Sequence, residues 1–124
     1  MGKRSDFERR ANDAYDTPAS AVKALLPFLP QHTKFFEPCA GKGHLIRHLE
    51  AAGHRCVGAW DIRPRKSCAA ERRDATTARI KRAPPWFITN PPWTRQLLHP
   101  IILNLSNQAP TWLLFDADWI HTVQ

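Results

Sequence analysis

The chain has 124 residues, which is enough for one domain, and its hydrophobic content of 43% is sufficient for a core. Its net charge of +7 favours a polyanionic partner over an acidic small molecule. Three cysteines without a Cys-x-x-Cys spacing argue against a zinc site, and their odd number argues against a secreted disulfide framework. We therefore predict no bound metal. There is no apolar run of membrane-spanning length and no signal-peptide pattern, so we also predict a cytoplasmic protein with no membrane partner.

The basic residues are unevenly distributed. Eight of the 18 lie between Arg63 and Arg82, and more occur near the amino end. Such clusters attract the phosphates of nucleic acids, which makes a nucleic acid, foremost DNA, the expected partner. We predict a flexible basic segment over residues 1–12 and a single folded domain over residues 13–124.

The first half of the chain predicts alternating helices and strands. Pro18 in the first turn, with Thr17 as N-cap, begins the first helix. Gly53 suits the position just after the second helix, in which leucine and isoleucine recur at helical spacing. The expected elements are a helix over 19–26, a strand over 33–36, a helix over 43–52 and a strand over 55–60.

The second half continues the alternation. Its expected elements are a short helix over 66–71, a weak strand near Arg73, a strand over 86–89, a helix over 96–105, a strand over 111–115 and a last helix from Asp118. The fourth helix in this order contains Pro100, which can kink it. Strands that alternate with helices at this spacing indicate an α/β protein with a mostly parallel sheet and crossover helices.

Four polar residues follow the predicted strands directly. Glu37, Asp61, Asp74 and Asn90 each lie at, or just past, the carboxyl end of a strand. In open parallel sheets ligands bind outside these ends, where the strand order reverses. We therefore expect the four side chains to lie near one binding site.

A glycine loop follows the first predicted strand. Gly41 and Gly43 allow a ligand to approach the backbone closely, and Asp61 lies 20 residues beyond Gly41, a spacing that suits an acceptor of ribose hydroxyls. This pattern fits a dinucleotide or S-adenosylmethionine (SAM). The dinucleotide fingerprint requires a glycine where Ile46 stands, and a P-loop requires Ser or Thr where Gly43 stands. Glu37 suits the ammonium and sulfonium charges of SAM better than it suits a pyrophosphate.

The tetrad Asn90-Pro91-Pro92-Trp93 predicts a rigid loop after a strand, because proline has a fixed φ and no N–H. This loop offers an Asn oxygen, the Pro91 carbonyl and an indole face. Two acceptors and a stacking surface are suited to holding a flat, conjugated NH₂ group.

Three segments resemble motifs of the SAM-dependent amino-methyltransferases. Asn90 to Trp93 resembles their catalytic motif, and residues 35–45 (FFEPCAGKGHL) resemble their first SAM-binding motif. Tyr15-Asp16-Thr17-Pro18 is similar to the Tyr-x-Thr-Pro segment of DNA adenine-N6 methyltransferases. The resemblance covers roughly residues 13 to 118 and implies a Rossmann-like methyltransferase fold.

The resemblance also implies roles for individual residues. Glu37 and the glycine loop would hold the methionine part of SAM, Asp61 the ribose, Ile62 the adenine face and Asp74 the adenine amino group. Cys39 serves as a small loop residue. The implied catalytic residues are Asn90, Pro91, Pro92 and Trp93. The implied cofactor-binding residues are Tyr15, Thr17, Pro18, Glu37, Pro38, Cys39, Ala40, Gly41, Gly43, Asp61, Ile62, Asp74 and Asn90.

The sequence departs from this family at its carboxyl end, where the family's last two strands have no counterpart. We therefore expect a sheet truncated after its fifth strand, with an apolar edge at residues 111–116. More chain, a partner chain or a second copy would cover this edge, or the catalytic fold has degenerated. The foremost function is transfer of methyl from SAM to adenine N6 in DNA. The alternatives are methylation of RNA or of a protein amide, and a non-catalytic module that binds SAM or nucleic acid.

Overall fold

The computed structural model describes residues 17–114. The predictions for residues 1–12, for Tyr15 and for a helix from Asp118 lie outside this range. Helices and strands alternate at both ends of the described chain, three strands follow one another in its middle, and a single turn of 3₁₀ helix (Leu26–Phe28) follows the first helix. They are α1 (Ala19–Leu25), β1 (Lys34–Glu37), α2 (His44–Ala51), β2 (Arg55–Asp61), β3 (Glu71–Arg72), β4 (Trp86–Thr89), α3 (Arg95–Ser106) and β5 (Thr111–Leu113).

The strands form one parallel sheet in the order β3-β2-β1-β4-β5. This confirms the predicted α/β, Rossmann-like fold with crossover helices. The order reverses between β1 and β4, so the carboxyl ends of these two strands flank the crevice in which such sheets bind ligands. Among the described residues β5 pairs with β4 alone, and cover of residues 111–116 by a partner or second copy stays a prediction.

Helices cover both faces of the sheet, and adjacent strand residues point to opposite faces. Phe35 and Ile88 pack with residues of α1 and α2, whereas Phe36 and Phe87 belong to a second cluster with residues of α3. Phe35, Phe87 and Ile88 are fully buried. The two clusters hold the central strands in place and thereby fix the position of the loops at their carboxyl ends.

The helix α3 confirms the prediction for residues 96–105 and runs past Pro100 without ending. Proline lacks the N–H that would donate to the carbonyl four residues earlier. Leu98, Ile101 and Leu105 are nonetheless buried at helical spacing, so packing of this stripe on the sheet outweighs the lost hydrogen bond.

The prediction of a short helix over residues 66–71 is wrong. Residues 62–70 form a loop, since this stretch is rich in like charges and lacks an apolar stripe. The loop lies against the amino end of α2. Ser67 Oγ donates to the Lys42 carbonyl at 3.0 Å, and Arg47 Nη1 donates to the Ser67 carbonyl at 3.3 Å.

The predicted cap of the first helix is also wrong. Pro18 occupies the N-cap position with φ −76° and ψ 151°, and no side chain among residues 17–114 caps this helix end. Thr17 is buried and its hydroxyl accepts a hydrogen bond from Asn90 Nδ2 at 3.1 Å. A contact between residues 73 positions apart has no local sequence signal.

Candidate functional site

The carboxyl ends of β1, β2 and β4 bring three of the predicted polar residues together. Glu37 and Asp61 are the last residues of their strands, and Asn90 follows Thr89, the last residue of β4. Glu37 and Asp61 are each only 1% exposed. Two carboxyl groups buried at one sheet edge must be held by nearby donors or remain protonated.

Burial raises the pKa of Glu37 to about 8, and the nearby charge of Asp61 adds to this rise. The Thr89 hydroxyl and the N–H groups of Cys39 and Asn90 face the carboxyl group and lower its pKa, which offsets part of this rise. The Cys39 N–H donates to Glu37 Oε1 at 2.8 Å, whereas the Thr89 hydroxyl completes no hydrogen bond with a described residue. Glu37 is therefore a largely neutral acid at pH 7 that a cationic ligand would ionise.

The glycine loop adopts conformations that require glycine. Gly41 has φ 55° and Gly43 has φ 89°, both in the left-handed region. A Cβ on Gly43 would lie 2.9 Å from Arg47 Nη1 and 3.2 Å from Cys68 Cβ. The loop therefore turns sharply from β1 into α2, and no larger residue fits at Gly43 without displacing its neighbours.

Asp61 holds this loop against the end of β2. Its Oδ2 accepts the Gly41 N–H and its Oδ1 accepts the Arg63 N–H, both at 2.7 Å. The Ala40 N–H donates to the Trp60 carbonyl at 2.9 Å. Each carboxylate oxygen can accept a further hydrogen bond, so the positioning of the loop leaves acceptor capacity for a ligand hydroxyl.

A pocket opens beside this edge, between the ends of β1 and β2 and the start of α3. Asp74 and Ile62 lie in its lining, and Ile62 is 49% exposed. Leu97 and Ile101, one helical turn apart on α3, contribute apolar surface that the sequence prediction did not assign to a site. The pocket is lined by Pro38, Cys39, Asp61, Ile62, Arg73, Asp74, Ala75, Thr76, Pro92, Leu97 and Ile101.

Asp74 begins a turn just after β3. Its Oδ1 accepts both the backbone N–H and the hydroxyl of Thr76, at 2.9 Å and 2.7 Å. The chain after it is attached to α3 by one side chain that makes two hydrogen bonds. Asn104 Nδ2 donates to the carbonyls of Ala75 and Ala78 at 2.9 Å and 2.8 Å. This attachment fixes one wall of the pocket, and its long sequence separation explains why the pattern did not predict it.

Asn90 is oriented by only one end of its amide. Its Nδ2 donates to Thr17, while its Oδ1 is buried and has no hydrogen-bond partner among residues 17–114. A buried acceptor left in this state costs about 1–3 kcal/mol. An unpaired acceptor at the ligand-binding edge of the sheet is suited to receive a donor from a bound molecule.

The prolines after Asn90 lead directly into α3. Pro91 is buried, Pro92 lines the pocket and Trp93 is half-buried. The Thr94 carbonyl accepts the N–H groups of Leu97 and Leu98 at 2.9 Å and 2.8 Å, which starts the helix. The tetrad is thus a short non-helical link between β4 and α3, as expected for a loop that follows a strand.

Five of the predicted cofactor residues line this pocket, and seven others within residues 17–114 do not, namely Thr17, Pro18, Glu37, Ala40, Gly41, Gly43 and Asn90. Pro18 is exposed at the start of α1, and Tyr15 lies outside the described residues. Thr17 contacts the site through Asn90. Within residues 17–114, no cluster of three metal-ligating side chains occurs, and no helix is long and apolar enough to cross a bilayer.

Comparison with known proteins identifies a fold. No protein family and no curated protein gives a significant match to the chain. The solved structure of a TehB-like SAM-dependent methyltransferase from Corynebacterium glutamicum is similar, with a TM-score of 0.60 and 13% sequence identity. The match covers 97% of this chain and 78% of that chain. The chain therefore has the Rossmann-like fold of that methyltransferase.

Proposed function

We propose that this chain is a SAM-dependent methyltransferase that acts on an exocyclic amino nitrogen, foremost adenine N6 in DNA. The observation that carries the proposal is the buried Oδ1 of Asn90, which has no partner among residues 17–114 and lies within a link of two prolines and an indole at the switch point of the sheet. An aromatic amine supplies the donor that this oxygen lacks.

The described residues fit SAM. Glu37 is a buried acid that a sulfonium or ammonium group would ionise, and the positive φ angles of Gly41 and Gly43 keep the backbone accessible. Asp61 retains acceptor capacity for ribose hydroxyls. The pocket with Ile62 and Asp74 offers an apolar face and a carboxylate, as an adenine ring requires. When bound, SAM supplies an electrophilic methyl group. The printed name of the similar structure supports the same cofactor.

The chain's own residues would activate the amine by hydrogen bonding. Asn90 Oδ1 and the Pro91 carbonyl would each accept one N–H bond, which localises the nitrogen lone pair. Acceptors fixed in advance stabilise the positive charge that develops on the nitrogen. Trp93 would stack on the target ring and hold it in line with the methyl donor. Neither a covalent nucleophile nor a strong base is needed.

The charge of the molecule supports a nucleic-acid substrate. The net charge is +7, and eight of the 18 basic residues lie between Arg63 and Arg82. A protein amide would not require this basic surface, whereas phosphates would. In duplex DNA the target adenine must leave the stack, at a cost of a few kcal/mol, and stacking on Trp93 would offset part of it.

Transfer of labelled methyl from SAM to DNA, followed by digestion to nucleosides, tests this function. We expect the label in N6-methyladenine. Parallel reactions with RNA and with a glutamine-containing protein test the other amine substrates. Label in one of these and not in DNA would identify that molecule as the substrate. Label on a carbon atom, or SAM binding without transfer to any of the three, would contradict an amino-methyltransferase.

A further inference from the structure

A second concavity lies on the α3 face of the sheet, toward the amino ends of the strands. Phe36 and Trp60 lie in its floor and are 8% and 3% exposed, while Val57 at its side is 48% exposed. Its other wall is the chain segment from Arg79 to Pro85. We call this concavity the basic groove.

The groove exists because the connection from β3 to β4 is not a helix. Residues 73–85 contain only turns, bends and irregular chain, so within residues 17–114 no helix covers this part of the sheet face. The segment is nevertheless held in place. Gln108 Oε1 accepts the Ile80 N–H at 2.7 Å, and Gln108 Nε2 donates to the Ala78 carbonyl at 3.0 Å. The wall therefore presents its side chains from an ordered backbone.

The groove is strongly cationic. Its basic side chains are Lys34, Arg73, Arg79, Lys81 and Arg82, and its one acidic side chain is Glu71. Glu71 already forms an ion pair with Arg73 at 3.1 Å. All six residues are exposed. So many like charges around one concavity repel each other, and a polyanion relieves this repulsion while releasing its own counterions.

We propose that the basic groove binds the phosphate backbone of DNA, at a site separate from the methyl-transfer loop. The inference rests on the proposed nucleic-acid substrate, but it does not require transfer to occur. Contacts to phosphates position a protein on DNA without reading its sequence. Arg73 lines both the groove and the pocket beside Asp74, so DNA held here lies next to the cofactor site.

The test compares two variants that lower the net charge equally, by two units. K81Q/R82Q removes two groove cations, and K23E reverses the charge of a lysine that is exposed on α1, across the sheet. Binding of a 20-base-pair duplex is measured by fluorescence anisotropy over a salt series. Each lost phosphate contact lowers the salt slope by about 0.9, which at ~0.1 M salt weakens binding roughly eightfold. We expect a loss of roughly 60-fold for the groove variant and under about threefold for the control.

Acetylation of lysines in the wild-type chain locates the contact independently. Bound DNA should protect Lys34 and Lys81 from acetylation and leave Lys23 reactive. Equal losses of affinity in K81Q/R82Q and K23E would show that only net charge matters and would overturn the proposal. So would unprotected Lys81, or a groove variant that changes self-association but not DNA binding. Binding of S-adenosylhomocysteine, the product of SAM, should be unchanged in all variants, which separates failure of the groove from failure of the proposed function.

Discussion

At the scale of single residues, Asn90 is the most informative side chain. Its amide nitrogen has a hydrogen-bond partner, whereas its amide oxygen has none among residues 17–114. The contact from Nδ2 to Thr17 fixes the plane of the amide and leaves Oδ1 buried without a partner among the described residues. A purely structural asparagine would be expected to satisfy both ends of its amide.

Replacement of Asn90 by alanine should therefore reduce transfer without affecting the cofactor. We expect kcat to fall about 10²- to 10³-fold, because one acceptor fixed for the developing charge is lost. Affinity for S-adenosylhomocysteine should stay within about threefold of wild type. Asn107→Ala, an exposed asparagine just after α3, is the matched control and should retain activity. Equal loss of binding and transfer in Asn90→Ala would assign this residue to cofactor binding instead.

Glu37 predicts an unusual dependence of stability on pH. Burial raises its pKa from 4.5 to about 8 in the folded chain. At a pH between these two values, the folded state therefore keeps a proton on Glu37 that the unfolded state has lost. The free energy of unfolding should therefore fall as pH rises through this window, by up to about 1.4 kcal/mol per pH unit from this group. Urea unfolding between pH 5 and pH 8 measures the slope. Glu37→Gln should make it shallower, and an unchanged slope in this variant would exclude Glu37 as the source.

Substitutions at the two glycines that flank α2 distinguish the effect of a steric clash from the effect of a strained backbone conformation. Gly43 and Gly53 have φ 89° and 97°, but a Cβ meets Arg47 and Cys68 only at Gly43 and meets nothing within 4 Å at Gly53. Alanine at either position should cost about 1 kcal/mol of backbone strain. Gly43→Ala should cost more and should also weaken binding of S-adenosylhomocysteine. Equal effects of the two variants on stability and binding would show that the loop needs only the backbone conformation.

At the scale of elements, the site depends on how the segment after β3 is attached to α3. The strand β3 has only two residues, and the following turn carries Asp74 without a helix to support it. Asn104 supplies that support through two backbone carbonyls.

Asn104→Ala should therefore destabilise the fold and loosen the pocket together. We expect a loss of about 1–3 kcal/mol in the free energy of unfolding, because the Ala75 carbonyl loses the Asn104 donor, whereas the Ala78 carbonyl keeps Gln108 Nε2. Hydrogen exchange should increase in residues 75–80 and not in α2. Asn107→Ala, at the residue just after this helix, serves as the control. Unchanged exchange in residues 75–80 would show that Gln108 holds the segment without Asn104.

The sequence patterns predicted those elements whose signals are local. The stripe of Leu45 and Leu49 and the glycine after it located α2, and a short apolar run before Asn90 located β4. The signals failed where distant contacts decide the structure. The bonds from Asp61 to the glycine loop and from Gln108 to residue 80 join positions 20 and 28 residues apart, and no periodicity encodes them.

At the scale of the whole molecule, one sheet supports two functionally distinct regions on the proposed account. The carboxyl ends of the strands form the site for the cofactor and the amine, and the basic groove lies on the α3 face toward their other ends. Both regions meet at Arg73. A nucleic acid could therefore contact the groove through its phosphates while one base reaches the tetrad.

The most direct test of the central claim is calorimetric titration of the purified chain with S-adenosylhomocysteine. The account predicts saturable one-to-one binding that Gly43→Ala weakens and Asn90→Ala retains. A folded chain that shows no saturable binding heat at any temperature between ~10 and ~30 °C, a range that avoids an accidental zero of the binding enthalpy, would contradict it.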